Sequence, residues 1–179
     1  MFTLIIGGSA SGKSEYAERH VLTLPGQRIY IACMQPFGEE AALRIEKHLR
    51  ARNGKGFQTI ERYTDLQHLD VQDDSNVLLE DLGNLTANEM FSPEGGDAEA
   101  ALQGVLALSR KCLNLTVVTN EVFSGGAAYG EETLRYMRKL ARLNRALAEI
   151  ADMAVEVVCG LPNVLKHPGE RSKRESMRK

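Results

Sequence analysis

The chain has 179 residues, a formal net charge of −2 at pH 7 and a hydrophobic fraction of 43%. This composition is ordinary for a soluble globular domain, and it gives no strongly basic surface of the kind that binds nucleic acid. No stretch approaches the roughly 18 consecutive apolar residues that span a bilayer, and the N-terminus lacks the basic segment of a signal peptide. We therefore expect a cytoplasmic protein with no transmembrane segment and no nucleic-acid partner.

Short apolar runs alternate with longer amphipathic segments along the chain. The alternation predicts an α/β fold of the P-loop NTPase type, with a mostly parallel sheet and helices on both faces. The predicted strands are Phe2–Ile6, Arg28–Ala32, Val77–Leu79, Thr116–Thr119 and Ala154–Val158, with a further short strand near Thr59–Glu61. The predicted helices are Lys13–Leu22, Glu39–Arg52, Asp97–Cys112 and Glu131–Ala151, and Ser92–Gly96 is predicted as a turn.

The domain organisation follows from the same patterns. Residues 1–166 are predicted to form a single nucleotide-binding catalytic domain, which is a usual size for one hydrophobic core. From Lys166 the sequence turns basic and almost free of apolar residues. We therefore expect residues 167–179 to form a flexible tail.

A phosphate-binding motif follows the first strand. Its residues are Gly7, Gly8, Ser9, Ala10, Ser11, Gly12, Lys13 and Ser14, which match the pattern GxxxxGK[ST] between an apolar strand and a helix. Glycines allow backbone N–H groups to turn toward phosphate oxygens, and the helix N-terminus adds a favourable dipole. Lys13 would neutralise charge on the β- and γ-phosphates of a nucleotide, and the Ser14 hydroxyl would help to hold Mg²⁺. The motif predicts a site for GTP, ATP or both.

A P-loop needs a second acidic group near the metal, and two strand ends offer one. Glu80 and Asp81 follow the strand at Val77–Leu79, and Glu121 follows the strand at Thr116–Thr119. Because successive side chains of a strand point to opposite faces, only one of Glu80 and Asp81 is expected to face the phosphates. Glu80 and Glu121 are the predicted nucleotide-binding carboxylates, with Glu80 as the metal ligand and Asp81 and Glu121 as alternatives.

His48 is the histidine with the most suggestive surroundings. It lies four residues after Arg44 on a predicted helix, so that the two side chains share a face. A neutral imidazole there could attack a phosphorus atom while nearby cations stabilise the phosphate charge. His48 and Lys13 are therefore the candidate catalytic residues.

Several segments together resemble one family, the bifunctional adenosylcobinamide kinase / adenosylcobinamide-phosphate guanylyltransferases. The similar segments are Leu4–Ser14, Tyr30–Ala32, Ala42–His48, Val77–Glu80, Asn84–Asn88, Val118–Val122, Arg142–Ala148, Ala151–Asp152 and Val157–Leu161. They extend over nearly the whole chain to about residue 166. The phosphate loop alone is generic, whereas the Thr-Asn-Glu-Val segment followed by an Arg-x-Asn-x-x-Leu-Ala helix is much more specific.

The resemblance implies an enzyme of cobalamin biosynthesis that acts in two steps. A nucleoside triphosphate would first phosphorylate (adenosyl)cobinamide, and GTP would then transfer GMP through a histidine to cobinamide phosphate. The guanylylated histidine of the family maps onto His48. The resemblance further implies a small-molecule corrinoid substrate and a homo-oligomer, specifically a trimer.

Two alternatives stay open because Arg52–Phe57 and Phe123–Tyr129 depart from the family's usual sequence. The first is a P-loop small-molecule kinase that lacks guanylyl transfer. The second is a nucleotide-binding regulatory protein, which would bind nucleotide stably without corrinoid-dependent turnover.

Overall fold

Seven strands form one sheet in the order β3-β2-β4-β5-β1-β6-β7. The computed structural model describes residues 1–125 and 128–169, apart from the side chains of Glu40, Arg44, Lys47 and Ala51. The strands are β1 (Phe2–Gly7), β2 (Arg28–Ala32), β3 (Phe57–Glu61), β4 (Asn76–Glu80), β5 (Asn114–Asn120), β6 (Met153–Val158) and β7 (Leu161–Lys166). The helices are α1 (Lys13–Leu22), α2 (Gly38–Arg52), α3 (Leu82–Phe91), α4 (Asp97–Lys111) and α5 (Glu131–Ile150), with a short 3-10 turn at Leu66–His68.

The first six strands run parallel, and only β7 pairs antiparallel with its neighbour β6. Successive residues of a strand point to opposite faces, so Leu4 and Ile5 of β1 belong to different halves of the core. The half that contains Leu4 packs against α3, α4 and α5. The half that contains Ile5 packs against Ala17 and Val21 of α1. The predicted α/β fold, with a mostly parallel sheet and helices on both faces, is confirmed.

All predicted strands and helices are present, with boundaries that differ by at most two residues at either end. Two elements were not predicted, namely α3 and β7. Strand β7 ends at Lys166, whose Nζ donates to the carbonyls of Ala148 at 3.4 Å and Glu149 at 3.0 Å. Residues 170–179, most of the predicted tail, lie outside the described residues.

Candidate nucleotide-binding site

The loop between β1 and α1 turns tightly into the N-terminus of α1. Two of its residues have positive φ, Ala10 at 55° and Gly12 at 88°. The Ser11 N–H donates to the Gly8 carbonyl at 3.3 Å, and the helical pattern starts with the Tyr16 N–H donating to the Gly12 carbonyl at 3.0 Å. A tight turn that leads directly into a helix N-terminus is a favourable place for an anion.

The β6–β7 hairpin supports this loop from one side. The Gly160 N–H donates to the Ser11 carbonyl at 2.8 Å. A Cβ added at Gly12 would lie 3.1 Å from the Gly160 Cα, and one added at Gly7 would lie 2.7 Å from the Val157 carbonyl oxygen. The first and last glycines of the motif are therefore required by close packing of backbone on backbone, in addition to any contact with phosphate.

We expect Gly7→Ala to lower the free energy of unfolding by about 2 kcal/mol, because the new methyl group overlaps the Val157 carbonyl and the Ser11 Oγ. Gly8→Ala is the matched control, since a Cβ there meets no described atom within 4 Å. Its expected change is within about 0.5 kcal/mol. Urea unfolding of both variants measures the difference. Equal losses at the two positions would contradict the packing explanation.

Lys13, Ser14 and Glu80 meet at the start of α1. The Ser14 Oγ donates to the Glu80 Oε1 at 2.6 Å, and the Lys13 Nζ donates to the Gly8 carbonyl at 3.1 Å. The Glu80 Oε2 is enclosed and makes no hydrogen bond within the described part of the chain. Burial, followed by the charge of Asp81, raises the pKa of Glu80 to about 8 against the opposing effects of Ser14 and Lys13. Lys13 and Ser14 therefore offset the effect of burial on the Glu80 carboxylate only in part.

The other two candidate carboxylates have local partners. The Asp81 Oδ1 accepts a hydrogen bond from the Asn84 N–H at 2.7 Å and so caps α3. The Glu121 Oε1 accepts from the N–H groups of Phe123 at 2.8 Å and Ser124 at 3.1 Å. Asp81 also borders the cavity described next, whereas Glu121 is not among the residues that border it. A nucleotide-binding role for Glu121 stays a prediction.

A cavity of about 1060 Å³ opens above the carboxyl ends of the strands. This edge of a parallel sheet is where open α/β folds bind their ligands. Ser9–Ser14 border the cavity at one end, and Glu80 and His48 border it as well. The structure thus brings the phosphate loop, Glu80 and His48 to one cavity. Gly7 and Gly8 are not among the residues that border it.

Helix α2 carries His48 and makes well-defined contacts at its C-terminal end. The Arg52 guanidinium lies over the Tyr30 ring, 3.5 Å from the ring centroid, and Arg52 is 7% exposed. Just beyond the helix, the Lys55 Nζ donates to the Glu18 Oε2 at 2.6 Å. Arg52 and Lys55 both border the cavity and were not predicted as site residues. Arg44 was expected to share a helix face with His48, and its side chain lies outside the part of the chain that the structure describes.

Comparison with known proteins identifies the family. The model of the family described as CobU, cobinamide kinase / cobinamide phosphate guanyltransferase, matches residues 3–165. The chain belongs to this family. The bifunctional adenosylcobalamin biosynthesis protein CobU of Escherichia coli K12 is 32% identical, and the match covers 90% of this chain and 97% of that protein. The corresponding protein CobP of Pseudomonas aeruginosa is 32% identical over 173 residues, covering 93% and 98%.

Two of the segments that carry the family resemblance contact each other in the structure. The Thr119 Oγ1 donates to the Asn144 Oδ1 at 2.7 Å, and the Asn144 Nδ2 donates to the Asn120 carbonyl at 3.3 Å. Asn144 belongs to the Arg-x-Asn-x-x-Leu-Ala helix, and Thr119 and Asn120 belong to the Thr-Asn-Glu-Val segment. The buried amide thus fixes the end of β5, where Asn120 borders the cavity.

Among the helices that the structure describes, we find none that combines the length and the apolarity needed to cross a membrane.

Proposed function

We propose that this chain phosphorylates (adenosyl)cobinamide with a nucleoside triphosphate and then transfers GMP from GTP, through His48, to cobinamide phosphate. The observation that carries this proposal is that the phosphate loop and His48 border the same cavity. A triphosphate held by the loop would extend into the cavity that His48 borders. Membership of the family supplies the two activities and the corrinoid substrate.

In the kinase step, Lys13 and the loop would hold the β- and γ-phosphates while the substrate hydroxyl attacks the γ-phosphorus. Ser14 and Glu80 would hold Mg²⁺. They fit this ion because the enclosed Glu80 Oε2 makes no hydrogen bond within the described chain, and Mg²⁺ prefers carboxylate and hydroxyl oxygens. Bound there, Mg²⁺ would offset the charge of the phosphates and of the ionised Glu80.

In the transfer step, a ring nitrogen of His48 would attack the α-phosphorus of GTP. The bond from that phosphorus to the bridging oxygen of the β-phosphate breaks, and pyrophosphate leaves. An oxygen of cobinamide phosphate then attacks the same phosphorus, which breaks the nitrogen–phosphorus bond and restores the histidine. Arg52 and Lys55, on the same side of the cavity as α2, would stabilise the phosphate charge in both displacements.

The remaining expectations are proposed with this function. The catalytic domain is residues 1–166, and the protein acts in the cytoplasm as a homo-oligomer, specifically a trimer. An exposed apolar edge supports association, because Leu161, Val164 and Leu165 of β7 are 71%, 38% and 57% exposed. An apolar outer strand of this kind is stable when another surface covers it.

The test is to supply cobinamide, Mg²⁺ and either ATP or GTP, and to follow the corrinoid by mass spectrometry. We expect a phosphorylated corrinoid first and, when GTP is present, a GDP-linked corrinoid with release of pyrophosphate. Phosphorylation without the second product would favour a kinase that lacks guanylyl transfer. Nucleotide binding with neither product would favour a regulatory protein.

A further inference from the structure

Three polar side chains meet at the start of α3, around Gly83. A Cβ added at Gly83 would lie 2.8 Å from the Asn120 Nδ2, 3.0 Å from the Tyr136 hydroxyl and 3.1 Å from the Asp81 Oδ1. Asn120 ends β5, Tyr136 belongs to α5, and Asp81 directly follows β4. Gly83 and all three of these residues, which we call the α3 cluster, border the cavity.

Two members of the α3 cluster keep hydrogen-bonding capacity for a ligand. The Asp81 Oδ1 accepts from the Asn84 N–H at 2.7 Å, and the Oδ2 accepts from the Asn84 Nδ2 at 3.1 Å. A carboxylate oxygen has two lone pairs, so each oxygen can accept one bond more. Within the described residues we find no cation paired with Asp81 and no hydrogen bond of the Asn120 side-chain amide. The third member, Tyr136, donates to the Gly83 carbonyl at 3.2 Å.

The α3 cluster and the helix of His48 border the cavity from opposite faces of the sheet. Helix α3 packs through Leu82 and Leu85 against one half of the core. Tyr30 belongs to the other half, which packs against α1, and the Arg52 guanidinium at the end of the His48 helix lies over its ring. The two sides of the cavity can therefore hold two different groups at the same strand ends.

The two proposed reactions need acceptors at different phosphorus atoms of a nucleotide. His48 would attack the α-phosphorus, whereas the cobinamide hydroxyl would attack the γ-phosphorus, in line with the oxygen that leaves. The γ-phosphate, which Lys13 would hold, then lies near Glu80, and Asp81 directly follows Glu80 in the chain. The hydroxyl is therefore expected on the side of the cavity that α3 forms.

We propose that the α3 cluster holds the amide-linked amino alcohol of cobinamide in the kinase step, with Asp81 accepting from the hydroxyl and Asn120 donating to the amide carbonyl. This inference rests on the proposed function. The hydroxyl oxygen attacks the γ-phosphorus, the bond from that phosphorus to the bridging oxygen of the β-phosphate breaks, and the nucleoside diphosphate leaves. The hydroxyl proton passes to the Asp81 carboxylate and from there to water.

The chemistry of the acceptor fits these side chains. A hydroxyl that attacks phosphorus needs a hydrogen-bond acceptor that orients it, and an ionised carboxylate makes a stronger bond than a neutral acceptor. The Asn120 amide group carries two donors, one of which can bind the carbonyl of the amide that links the amino alcohol to the corrinoid. Asp81 and Asn120 thus match the hydroxyl and the amide carbonyl of one short substituent.

The charge of Asp81 also distinguishes the substrate from its product. Cobinamide is uncharged at the hydroxyl, whereas cobinamide phosphate carries negative charge there, which a carboxylate repels. Arg52 and Lys55 border the cavity as well, and Lys55 pairs with Glu18 of α1, on the other face of the sheet. Asp81 would therefore hold the alcohol and favour departure of the phosphorylated product toward these cations.

The test compares an alcohol acceptor with a phosphate acceptor in Asp81→Asn. Asparagine caps a helix as well as aspartate does, so the unfolding midpoint should be unchanged. We expect kcat/KM for phosphorylation of cobinamide by ATP to fall at least about 100-fold. Transfer of GMP from the guanylylated protein to supplied cobinamide phosphate should stay within about threefold of wild type, because the attacking phosphate oxygen has no hydroxyl proton to lose.

Two further variants separate acceptor binding from general damage. Asn120→Ala should raise KM for cobinamide about fivefold with little change in kcat, because one neutral hydrogen bond to the bound substrate is lost. Asp73→Asn removes the same charge from an exposed position outside the cavity and should leave both reactions unchanged. Calorimetry with Mg²⁺ and a non-hydrolysable ATP analogue should show a far smaller loss in Asp81→Asn than the loss in kcat/KM.

Three outcomes in Asp81→Asn would overturn the inference: an equal loss of both reactions, a loss of nucleotide binding that matches the loss in kcat/KM, or an undiminished kinase rate. If wild type phosphorylates cobinamide and Asp81→Asn does so equally well, the proposed function stands and Asp81 does not hold the hydroxyl. If wild type phosphorylates no corrinoid, the proposed function fails and this inference fails with it.

Discussion

His48→Ala is expected to lose self-guanylylation by at least about 1000-fold while it keeps most of its cobinamide kinase activity. The reason is that the proposed nitrogen–phosphorus bond forms on the imidazole, whereas the phosphate loop that serves the kinase step is intact. Intact mass after incubation with Mg²⁺ and GTP measures the first activity. The wild-type adduct should be one GMP, and acid should remove it because nitrogen–phosphorus bonds are acid-labile.

His68→Ala is the matched control for this experiment. His68 is exposed on the short 3-10 turn, and its Nδ1 lies 2.6 Å from the Asp65 Oδ1, so its removal leaves the cavity intact. We expect the same GMP adduct as in wild type. A GMP adduct that persists in His48→Ala would show that another side chain is the nucleophile, and peptide mapping of that adduct would identify it.

Lys13→Ala is expected to reduce both activities, by about 1000-fold in kcat/KM for phosphorylation of cobinamide and by a similar factor for self-guanylylation. Lys13 is 8% exposed, and its ammonium group is held at the loop by the Gly8 carbonyl. A charge in this enclosed position stabilises the developing phosphate charge far more than a solvated one would. Kinetics with ATP and with GTP measure the effect.

Arg19→Ala is the matched control, because it also removes a cation from α1. Arg19 pairs with Glu15 at 3.9 Å on the exposed face of α1, and such pairs contribute little to stability. We expect less than about a twofold change in either activity. Loss of both activities in Lys13→Ala, with only guanylylation lost in His48→Ala, would place both steps at one phosphate site. Retention of either activity in Lys13→Ala would argue for a second nucleotide site.

Local sequence was sufficient to predict the phosphate loop and most of the fold. The β1–loop–α1 unit is contiguous, and its glycines, lysine and serine determine its conformation with little help from distant residues. The buried strands β1, β2, β4, β5 and β6 were predicted because parallel strands covered on both faces consist of unbroken apolar runs. Helices α1, α2, α4 and α5 were predicted from amphipathic spacing.

The two elements that the sequence did not reveal depend on tertiary contacts. Helix α3 contains Gly83, Asn84 and Thr86, which are weak helix formers. It is stabilised by its Asp81 cap and by burial of Leu82 and Leu85 in the core. Strand β7 contains Pro162, which a sheet accepts at its edge but not at its centre.

Some features of the site follow from the local sequence, and others depend on the tertiary structure. The motif and the family resemblance indicated Lys13, Ser14, Glu80 and His48 as candidates. They could not show that Ser14 donates to Glu80, 66 positions away, while Asp81 turns to cap a helix. That choice depends on the order and register of β1 and β4 in the sheet, which long-range pairing decides.

The same reason explains why Arg52 and Lys55 carried no signal in the sequence. Each is a common charged residue in a segment without a motif, and each reaches the cavity only because β2, β3 and β4 end at one edge of the sheet. Residue type and local spacing therefore determined the phosphate-binding loop, the fold class and the candidate nucleophile. Only the alignment of distant strand ends decided which carboxylates and cations share the cavity, because that alignment arises from packing across the whole core.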